Sequence, residues 1–177
     1  MSRGSHALAG LILVAVLVAA AALGWWRHTR IVVETTRHPG FDVEAFLRAH
    51  CFPRMRATPP RGDTGDAWWC VARRAGRVVG CAALSDKRSH FLLHFDCVHP
   101  QHRRRGVGER LHRARLALCR ARDAVRPVRL HIREGNAAAE ALLRKFPAFR
   151  RVRRAKLTDT SDPHAWYVLY QAPGGAY

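Results

Sequence analysis

The hydrophobic pattern of the chain changes abruptly near residue 26. From Ala7 to Trp26 there are twenty residues without a charge or a side-chain amide or hydroxyl. A helix of that length covers about 30 Å, which matches the hydrocarbon thickness of a bilayer. We therefore divide the chain into a tail at residues 1–6, a predicted transmembrane helix at residues 7–26 and a globular domain at residues 27–177.

Beyond residue 26, short β-rich runs alternate with stretches of helical spacing. Apolar residues between Phe41 and His50 fall on one side of a helix, and Ala75-Gly76 separates two β-rich runs as in a hairpin. The pattern predicts an α/β domain in the order βα-βββ-α-β-α-ββ. The predicted strands are residues 31–36, 68–73, 78–84, 90–98, 128–133, 149–157 and 165–171; the predicted helices are 41–50, 109–123 and 137–146; and the predicted loops include 59–66 and 158–164.

Two tryptophans and a basic flank mark the end of the apolar segment. Trp25 and Trp26 are typical of the headgroup region, and the flank after them is more basic than the flank before the segment. By the positive-inside rule we expect a single-pass membrane protein whose C-terminal domain lies in the cytosol. Two alternatives stay open: a signal peptide cleaved near the alanine run at residues 19–22, and a buried core helix.

The charge is strongly positive and unevenly spread. The chain has 31 Lys+Arg and 13 Asp+Glu residues, a formal net charge of +18, while 48% hydrophobic residues exclude a disordered basic tail. Residues 103–156 alone hold 18 basic and 4 acidic side chains. An anionic membrane surface, an acidic acceptor, RNA or an ordinary solvated surface would each match this charge. No aromatic residues are interleaved with the arginines, so nucleic acid is the least favoured partner.

Cysteine and histidine spacing indicates neither a disulfide framework nor a metal site. The five cysteines are an odd number and form no CxxC pair, so we expect reduced, structural thiols. His90, His94, Cys97 and His99 lack the paired spacing of a tetrahedral zinc site, so we expect no metal.

A glycine motif, Arg103-x-x-Gly106-x-Gly108, stands between the predicted strand at residues 90–98 and a helix start. The free N–H groups of a first helical turn, together with the positive end of the helix dipole, attract an anion. Glycine has no Cβ, so phosphates can approach the backbone closely. The motif therefore predicts a ligand that carries a pyrophosphate.

Three motifs together resemble the GCN5-related N-acetyltransferase (GNAT) superfamily. They are Val98-x-Pro100, the glycine motif, and Asn136-x-x-Ala139-x-x-Leu142 followed by Phe149. The resemblance covers about residues 31–172. It implies a mixed, mostly antiparallel central sheet, flanked by helices and splayed between its fourth and fifth strands, with acetyl-CoA in the splay.

The resemblance also implies which residues bind acetyl-CoA. The pyrophosphate would lie on main-chain amides of the turn, and the pantetheine arm would pair with the backbone of the fourth strand. The implied cofactor-binding residues are Cys97, Val98, Arg103, Arg104, Arg105, Gly106, Val107, Gly108, Glu109 and Asn136.

Acetyl transfer to an amine requires a group that accepts the amine proton. Strict alternation along the fourth strand places His94 and Asp96 on one face. An imidazole suits proton relay at neutral pH, and the arylalkylamine acetyltransferases of the superfamily carry a catalytic histidine at the position that His94 matches. We expect His94 to act as base or relay and Asp96 as orienter or alternative base; a structural pair of hydrogen-bonded side chains is the alternative.

The general acid departs from the family pattern. Many members place a tyrosine, close to the CoA sulfur, at the position that Leu143 occupies here. Tyr167 or Tyr170 on the last strand is a substitute, although neither position matches the motif. We expect an N-acetyltransferase that moves an acetyl group from acetyl-CoA to a primary amine by direct attack in a ternary complex. The alternative is a membrane-bound acyl-CoA-binding or interaction module with weak turnover or none.

Overall fold

In the part of the chain that the structure describes, seven strands form one sheet and three α-helices pack on it. In the computed structural model the described residues are 30–51, 67–157 and 164–177. The strands are β1 (Ile31–Thr36), β2 (Ala67–Arg74), β3 (Arg77–Lys87), β4 (His90–Val98), β5 (Val128–Arg133), β6 (Arg150–Lys156) and β7 (Trp166–Ala172), and the helices are α1 (Phe41–His50), α2 (Val107–Arg122) and α3 (Ala137–Leu143). Their order in the sheet is β1-β2-β3-β4-β5-β7-β6.

The order of elements along the chain confirms the predicted one. The boundaries of two helices differ from the prediction. Helix α2 begins at Val107, two residues earlier than expected. Helix α3 ends at Leu143, three residues earlier, because the Phe146 N–H bonds to the Leu143 carbonyl at 2.8 Å in a tighter turn and Pro147 follows.

The predicted transmembrane segment and most of two predicted loops lie outside the described residues. They are residues 7–26, residues 59–66 and residues 158–163. Within the described part of the chain, no helix is both long enough and apolar enough to cross a membrane.

Strand β4 pairs differently with its two neighbours. With β3 it is antiparallel along its whole length, whereas with β5 it is parallel and pairs only at Phe91–Leu93, opposite Val128–Leu130. Beyond these residues β4 and β5 separate, which confirms the predicted splay between the fourth and fifth strands. All other neighbours in the sheet are antiparallel, so the sheet is mixed as expected.

Helices cover both faces of the sheet. Helices α2 and α3 cover one face, which we call the α2 face; its buried side chains include Phe91, Leu93, Leu116, Val128, Leu130 and Leu143. Helix α1 covers the opposite face, the α1 face, where its apolar residues Val43, Phe46 and Leu47 pack against Trp69, Val71 and Ala83. Burial of each large apolar side chain contributes about 1.5 to 3 kcal/mol, so the two layers together fix the sheet.

A β-bulge interrupts β4 at Phe95. Ala83 of β3 pairs with His94 and Cys81 pairs with Cys97, so two steps along β3 match three steps along β4. Phe95 has a φ of 56°, in the left-handed region that residues other than glycine rarely adopt. Because the bulge adds one residue to the strand, it reverses the alternation of side chains between the two faces.

A disulfide joins Cys51, at the end of α1, to Cys97 of β4. The expectation of reduced thiols is therefore wrong for this pair. The odd count and the missing CxxC spacing argue against several bridges, but they do not test one bridge between residues 46 positions apart that the fold brings together. Cys70, Cys81 and Cys119 are free and buried, and burial raises the pKa of Cys81 and Cys119 to about 12.

Candidate active site

The turn between β4 and α2 presents main-chain amides to a ligand. Arg104 and Gly106 have φ of 60° and 76°, and left-handed residues in a turn direct successive N–H groups into a concave anion site. The first hydrogen bond of α2 runs from the Arg110 N–H to the Gly106 carbonyl at 3.0 Å. The N–H groups of Val107, Gly108 and Glu109 come before this first bond, so they have no acceptor within the helix. The turn therefore has the amide array that the sequence predicts for a pyrophosphate.

One of the predicted cofactor-binding residues holds this turn against β4. Arg103 Nε donates to the Val98 carbonyl at 3.1 Å. The Arg103 side chain thus binds the protein backbone and positions the turn. Arg104 and Arg105 are exposed, and they carry the charge that an anionic ligand would meet.

The two glycines of the turn differ in backbone conformation and in the space around a built Cβ. Gly106 has a φ of 76°, and a Cβ built on it would meet nothing within 4 Å. A Cβ on Gly108 would lie 3.7 Å from Leu142 Cδ2 and 3.9 Å from Val98 Cγ2, which are ordinary contact distances. Backbone conformation therefore favours glycine at position 106, while protein packing requires it at neither position.

Two further predicted cofactor-binding residues use their side chains within the protein. Glu109 pairs with Lys145 at 2.7 Å and with Arg113 at 2.9 Å, and the hydrogen bonds from these two residues lower the pKa of Glu109. Asn136 Oδ1 accepts from the Ala139 N–H at 3.1 Å and so caps α3. Asn136 follows β5, across the splay from the turn.

His94 lies on the α1 face, since its cross-strand neighbour Ala83 belongs to the core beneath α1. His94 Nε2 is 2.7 Å from Ser85 Oγ on β3. Burial, followed by the positive charges of Arg115 and Lys87, lowers the pKa of His94 to about 3. The imidazole is therefore neutral at pH 7 and is a weak base. Such a group suits the brief transfer of a proton better than its retention.

Asp96 lies on the α2 face, so the prediction that His94 and Asp96 share a face is wrong. That prediction assumes unbroken alternation, which the bulge at Phe95 interrupts. Asp96 accepts hydrogen bonds from Arg115 of α2 through both carboxylate oxygens, at 2.5 and 3.0 Å. The two candidate acid–base residues therefore do not act on each other.

Arg115 is important for the site, yet the sequence motifs do not single it out. Its side chain is 1% exposed, and it donates to the Ala83 carbonyl at 3.2 Å and to the His94 carbonyl at 3.3 Å as well as to Asp96. His112, which is also buried, accepts from Arg115 at Nδ1, at 3.2 Å. The signal in the sequence is an arginine on the apolar side of α2, because charged residues are rarely buried without partners.

The tyrosines proposed as general acid are one strand removed from β4. Tyr167 pairs with Arg133 of β5, and Tyr170 pairs with Leu130 of the same strand. Since β5 separates β7 from β4, neither tyrosine is on a strand adjacent to His94. Leu143, at the position where the family carries tyrosine, is buried in the core on the α2 face.

Three histidine rings gather beside the turn. The ring centroids of His50 and His99 are 4.4 Å apart, and those of His99 and His102 are 5.6 Å apart. Burial, followed by neighbouring positive charges, lowers the pKa of His50 and of His102. Among the residues that the structure describes, no group of three or more His, Cys, Asp and Glu side chains could hold a metal ion.

The splayed sheet and the amide-rich turn agree with the family that the sequence matches. The model of the Acetyltransferase (GNAT) family matches residues 29–146, so the chain belongs to this family. Membership makes it an acyltransferase of a family that uses acetyl-CoA as co-substrate. A search of curated proteins finds no match.

Solved structures of low sequence identity share the fold. The IAA acetyltransferase from Bacillus cereus ATCC 14579 is 14% identical with a TM-score of 0.62, covering 81% of this chain and 99% of that one. The ribosomal-protein-S18-alanine N-acetyltransferase from Escherichia coli is 18% identical with a TM-score of 0.60, covering 82% and 96%. Ard1 from Thermoplasma volcanium is 24% identical with a TM-score of 0.59, covering 78% and 95%.

Replacing Gly106 with alanine should weaken acetyl-CoA binding by about tenfold or more, because the new Cβ would enter the space in front of the amides. Gly76, in the β2–β3 turn, is a matched control: it has a φ of 75°, and a Cβ there also meets nothing within 4 Å. Gly106→Ala and Gly76→Ala carry a similar backbone cost of about 1 to 2 kcal/mol. Calorimetric titration with acetyl-CoA should separate them, and equal affinities would contradict the proposed amide site.

The stability of the protein should fall between pH 7 and pH 5. Burial lowers the pKa of His94 and of His112 to about 3 in the folded protein, whereas the unfolded chain binds these protons below about 6.5. Stability is therefore lost as pH falls through 6.5, by about 2 kcal/mol for each histidine at pH 5. His112→Asn, which keeps an acceptor for Arg115, should reduce this loss in urea denaturation at the two pH values. The exposed His38, replaced by asparagine, is the control, and equal pH dependence of both variants would refute the assignment.

Proposed function

We propose that the chain transfers the acetyl group of acetyl-CoA to a primary amine by direct attack in a ternary complex. The observation that carries the proposal is the amide array of the turn at Gly106, at the end of the splay between β4 and β5. Membership of the GNAT family supplies the class of reaction. The turn and the splay together supply a place for a pyrophosphate and for the arm attached to it.

The open edge of β4 supports the placement of the pantetheine arm. Beyond Leu93 the strand no longer pairs with β5, so its edge on that side is open to a ligand, except that the Val98 carbonyl accepts from Arg103 Nε. An arm with amide groups can add to such an edge as an extra strand would. The Cys97 side chain is held in the disulfide, which leaves its backbone for this role.

Removal of the acceptor proton is assigned to His94 with Ser85. The amine must be neutral to attack a thioester, so a group near it must accept a proton. Because burial lowers the pKa of His94 to about 3, the ring does not retain the proton that it takes from the attacking amine but returns it to the departing thiolate, while the 2.7 Å contact with Ser85 Oγ holds the ring in place. Asp96, held by Arg115 on the other face, is assigned to orienting β4.

The alternative function is an acyl-CoA-binding or interaction module without efficient turnover. One observation favours it: Leu143, buried in the core, supplies no hydroxyl at the position where the family carries its general acid. Tyr167 is the candidate substitute, and it is buried on β7.

A turnover assay separates these two functions. The full-length chain should release the CoA thiol from acetyl-CoA in the presence of at least one amine of a panel that includes peptides, polyamines and arylalkylamines. Binding of acetyl-CoA without thiol release across the panel would favour the alternative.

The same assay tests His94. His94→Ala should lower kcat by about 10- to 100-fold while changing acetyl-CoA affinity by less than about twofold, because the imidazole acts on the acceptor proton. Ser89→Ala removes an exposed hydroxyl of the neighbouring turn and is the control. An undiminished rate of the His94 variant would remove this residue from the mechanism.

We further propose that residues 7–26 anchor the protein in a membrane as a single span, with the acyltransferase domain on the cytosolic side. The length and apolar composition of the segment and the basic flank after it support this proposal. The disulfide between Cys51 and Cys97 argues for the opposite side, because disulfides persist in oxidising compartments.

A glycosylation reporter fused after Tyr177 tests the orientation. The reporter should stay unglycosylated, and the chain should remain in the membrane fraction after alkaline extraction. A variant that lacks residues 7–26 should be released by the same treatment. Glycosylation of the reporter would place the domain on the oxidising side, in agreement with the disulfide and against the proposed orientation.

A further inference from the structure

Three strands beyond the splay carry a large excess of positive charge. β5, β6 and β7 contain no aspartate and no glutamate. Their seven basic residues are Arg129, Arg133, Arg150, Arg151, Arg153, Arg154 and Lys156. Charges of one sign at this density repel one another, so their distribution between the two faces of the sheet is informative.

On the α2 face two of these charges, Arg154 and Lys156, have partners within the protein. Arg154 Nη2 is 2.6 Å from Glu134 Oε2, and the Arg154 guanidinium lies 4.1 Å from the centre of the Trp166 ring. Lys156 Nζ lies 5.3 Å from the same ring centre. The fold itself therefore uses Arg154 and Lys156.

A bulge at Val152 determines which arginines of β6 lie on each face. Arg151 pairs with Tyr170, while Arg153 pairs with Leu169. The side chains of consecutive strand residues point to opposite faces, so Tyr170 and Leu169 lie on opposite faces of the sheet. Cross-strand partners share a face, so Arg151 and Arg153 also lie on opposite faces. Arg151 lies on the α2 face and Arg153 on the α1 face.

The remaining basic residues lie together on the α1 face. We call this group the basic face; its members are Arg129, His131, Arg133, Arg150 and Arg153. Arg133, Arg150 and Arg153 are exposed. Burial, followed by the charges of Arg153 and Arg129, lowers the pKa of His131, which agrees with their closeness in the register.

The basic face begins beside the candidate transfer site. Leu92 of β4 pairs with Arg129 of β5, one pair before the two strands separate. His94 is two residues beyond Leu92 and therefore lies on the same face as Arg129 and His131. Gln171 Oε1 accepts from Arg129 Nε at 2.6 Å, which fixes the guanidinium next to the splay.

The width of the basic face suits an extended peptide. Neighbouring strands are about 4.8 Å apart, so β6, three strands from β4, lies about 14 Å away. An extended peptide advances about 3.3 Å per residue. Side chains roughly two to five residues after an amine at His94 would therefore reach from Arg129 to Arg153.

We propose that the acceptor is the N-terminal amine of a peptide with acidic residues directly after it, and that the basic face binds their carboxylates. Arginine forms paired hydrogen bonds with carboxylates, which gives such a face both affinity and register. A single-stranded nucleic acid is less favoured because β5 and β6 contain no Phe, Trp or Tyr, and Tyr167, which β7 places on this face between them, is buried and so offers bases little surface for stacking. That the peptide's amine is the reacting group rests on the proposed function. Binding of the acidic segment to the basic face does not depend on that function.

Two matched peptides test this inference on the full-length chain in a non-ionic detergent. Both begin with serine; one continues with four alternating Asp and Glu residues, and the other with the isosteric Asn and Gln. Fluorescence anisotropy measures binding of each peptide, and mass spectrometry measures its acetylation with acetyl-CoA. The acidic peptide should bind about tenfold more tightly and show a similarly larger kcat/KM, with the difference shrinking as salt is raised.

Two charge reversals on β6 show whether the face decides the preference. Arg153→Glu and Arg151→Glu change the net charge equally, and both residues are exposed, but they lie on opposite faces. Arg153→Glu should reduce the preference for the acidic peptide about fivefold, and Arg151→Glu should change it less than about twofold. Equal effects of the two variants would mean that only net charge matters and would overturn the inference.

The remaining outcomes separate the inference from the proposed function. Equal binding of the two peptides, with the neutral one acetylated, overturns the inference and leaves the function standing. Face-selective binding of the acidic peptide without acetyl transfer supports the docking and counts against the function. A single-stranded oligonucleotide that binds more tightly than the acidic peptide, and is more sensitive to Arg153→Glu, overturns the inference in favour of nucleic acid.

Discussion

The ion pair between the buried Arg115 and the half-exposed Asp96 is the contact on which the geometry of the site depends. Moving a guanidinium into a protein interior costs several kcal/mol unless hydrogen-bond partners replace water. Arg115 has such partners because β4 offers it the carbonyl of His94 and, past the bulge at Phe95, the carboxylate of Asp96. The bulge also needs Arg115, since an extra strand residue disrupts the ladder and leaves main-chain groups to be satisfied otherwise. Each feature therefore depends on the other.

This mutual dependence explains how one strand serves two different neighbours. Up to Leu93, β4 is an ordinary central strand that pairs with both β3 and β5. Beyond the bulge its faces are exchanged, so Val98 packs with Val107 and Leu111 of α2. The start of α2 is thereby fixed against the end of β4, and the amide array at Gly106 is set from within the core. On the other face, the disulfide from Cys97 ties α1 to the same strand; closing a loop between residues 46 positions apart stabilises the fold by about 4 kcal/mol through the unfolded state.

Features that depend on local periodicity and on glycine positions could be predicted from the sequence. The order of strands and helices and the turn at Gly106 belong to this group, and the family resemblance added the splay. Tertiary proximity could not be predicted in the same way. Nothing in the spacing of Cys51 and Cys97 indicates that the end of α1 meets β4, and Arg115 differs from a surface arginine only in its position on the helix.

Bulges account for the errors with the largest chemical consequence. Neither Phe95 nor Val152 is a glycine or a proline, so the sequence does not mark either position as irregular. Unbroken alternation wrongly places His94 and Asp96 together, and it would likewise place Arg151 and Arg153 on one face. A bulge leaves the order of elements unchanged but reassigns every side chain beyond it to the other face. The same irregularity therefore leaves the fold predictable from the sequence while it changes which residues meet a substrate, and the bulge at Val152 decides which arginines of β6 lie on the α1 face.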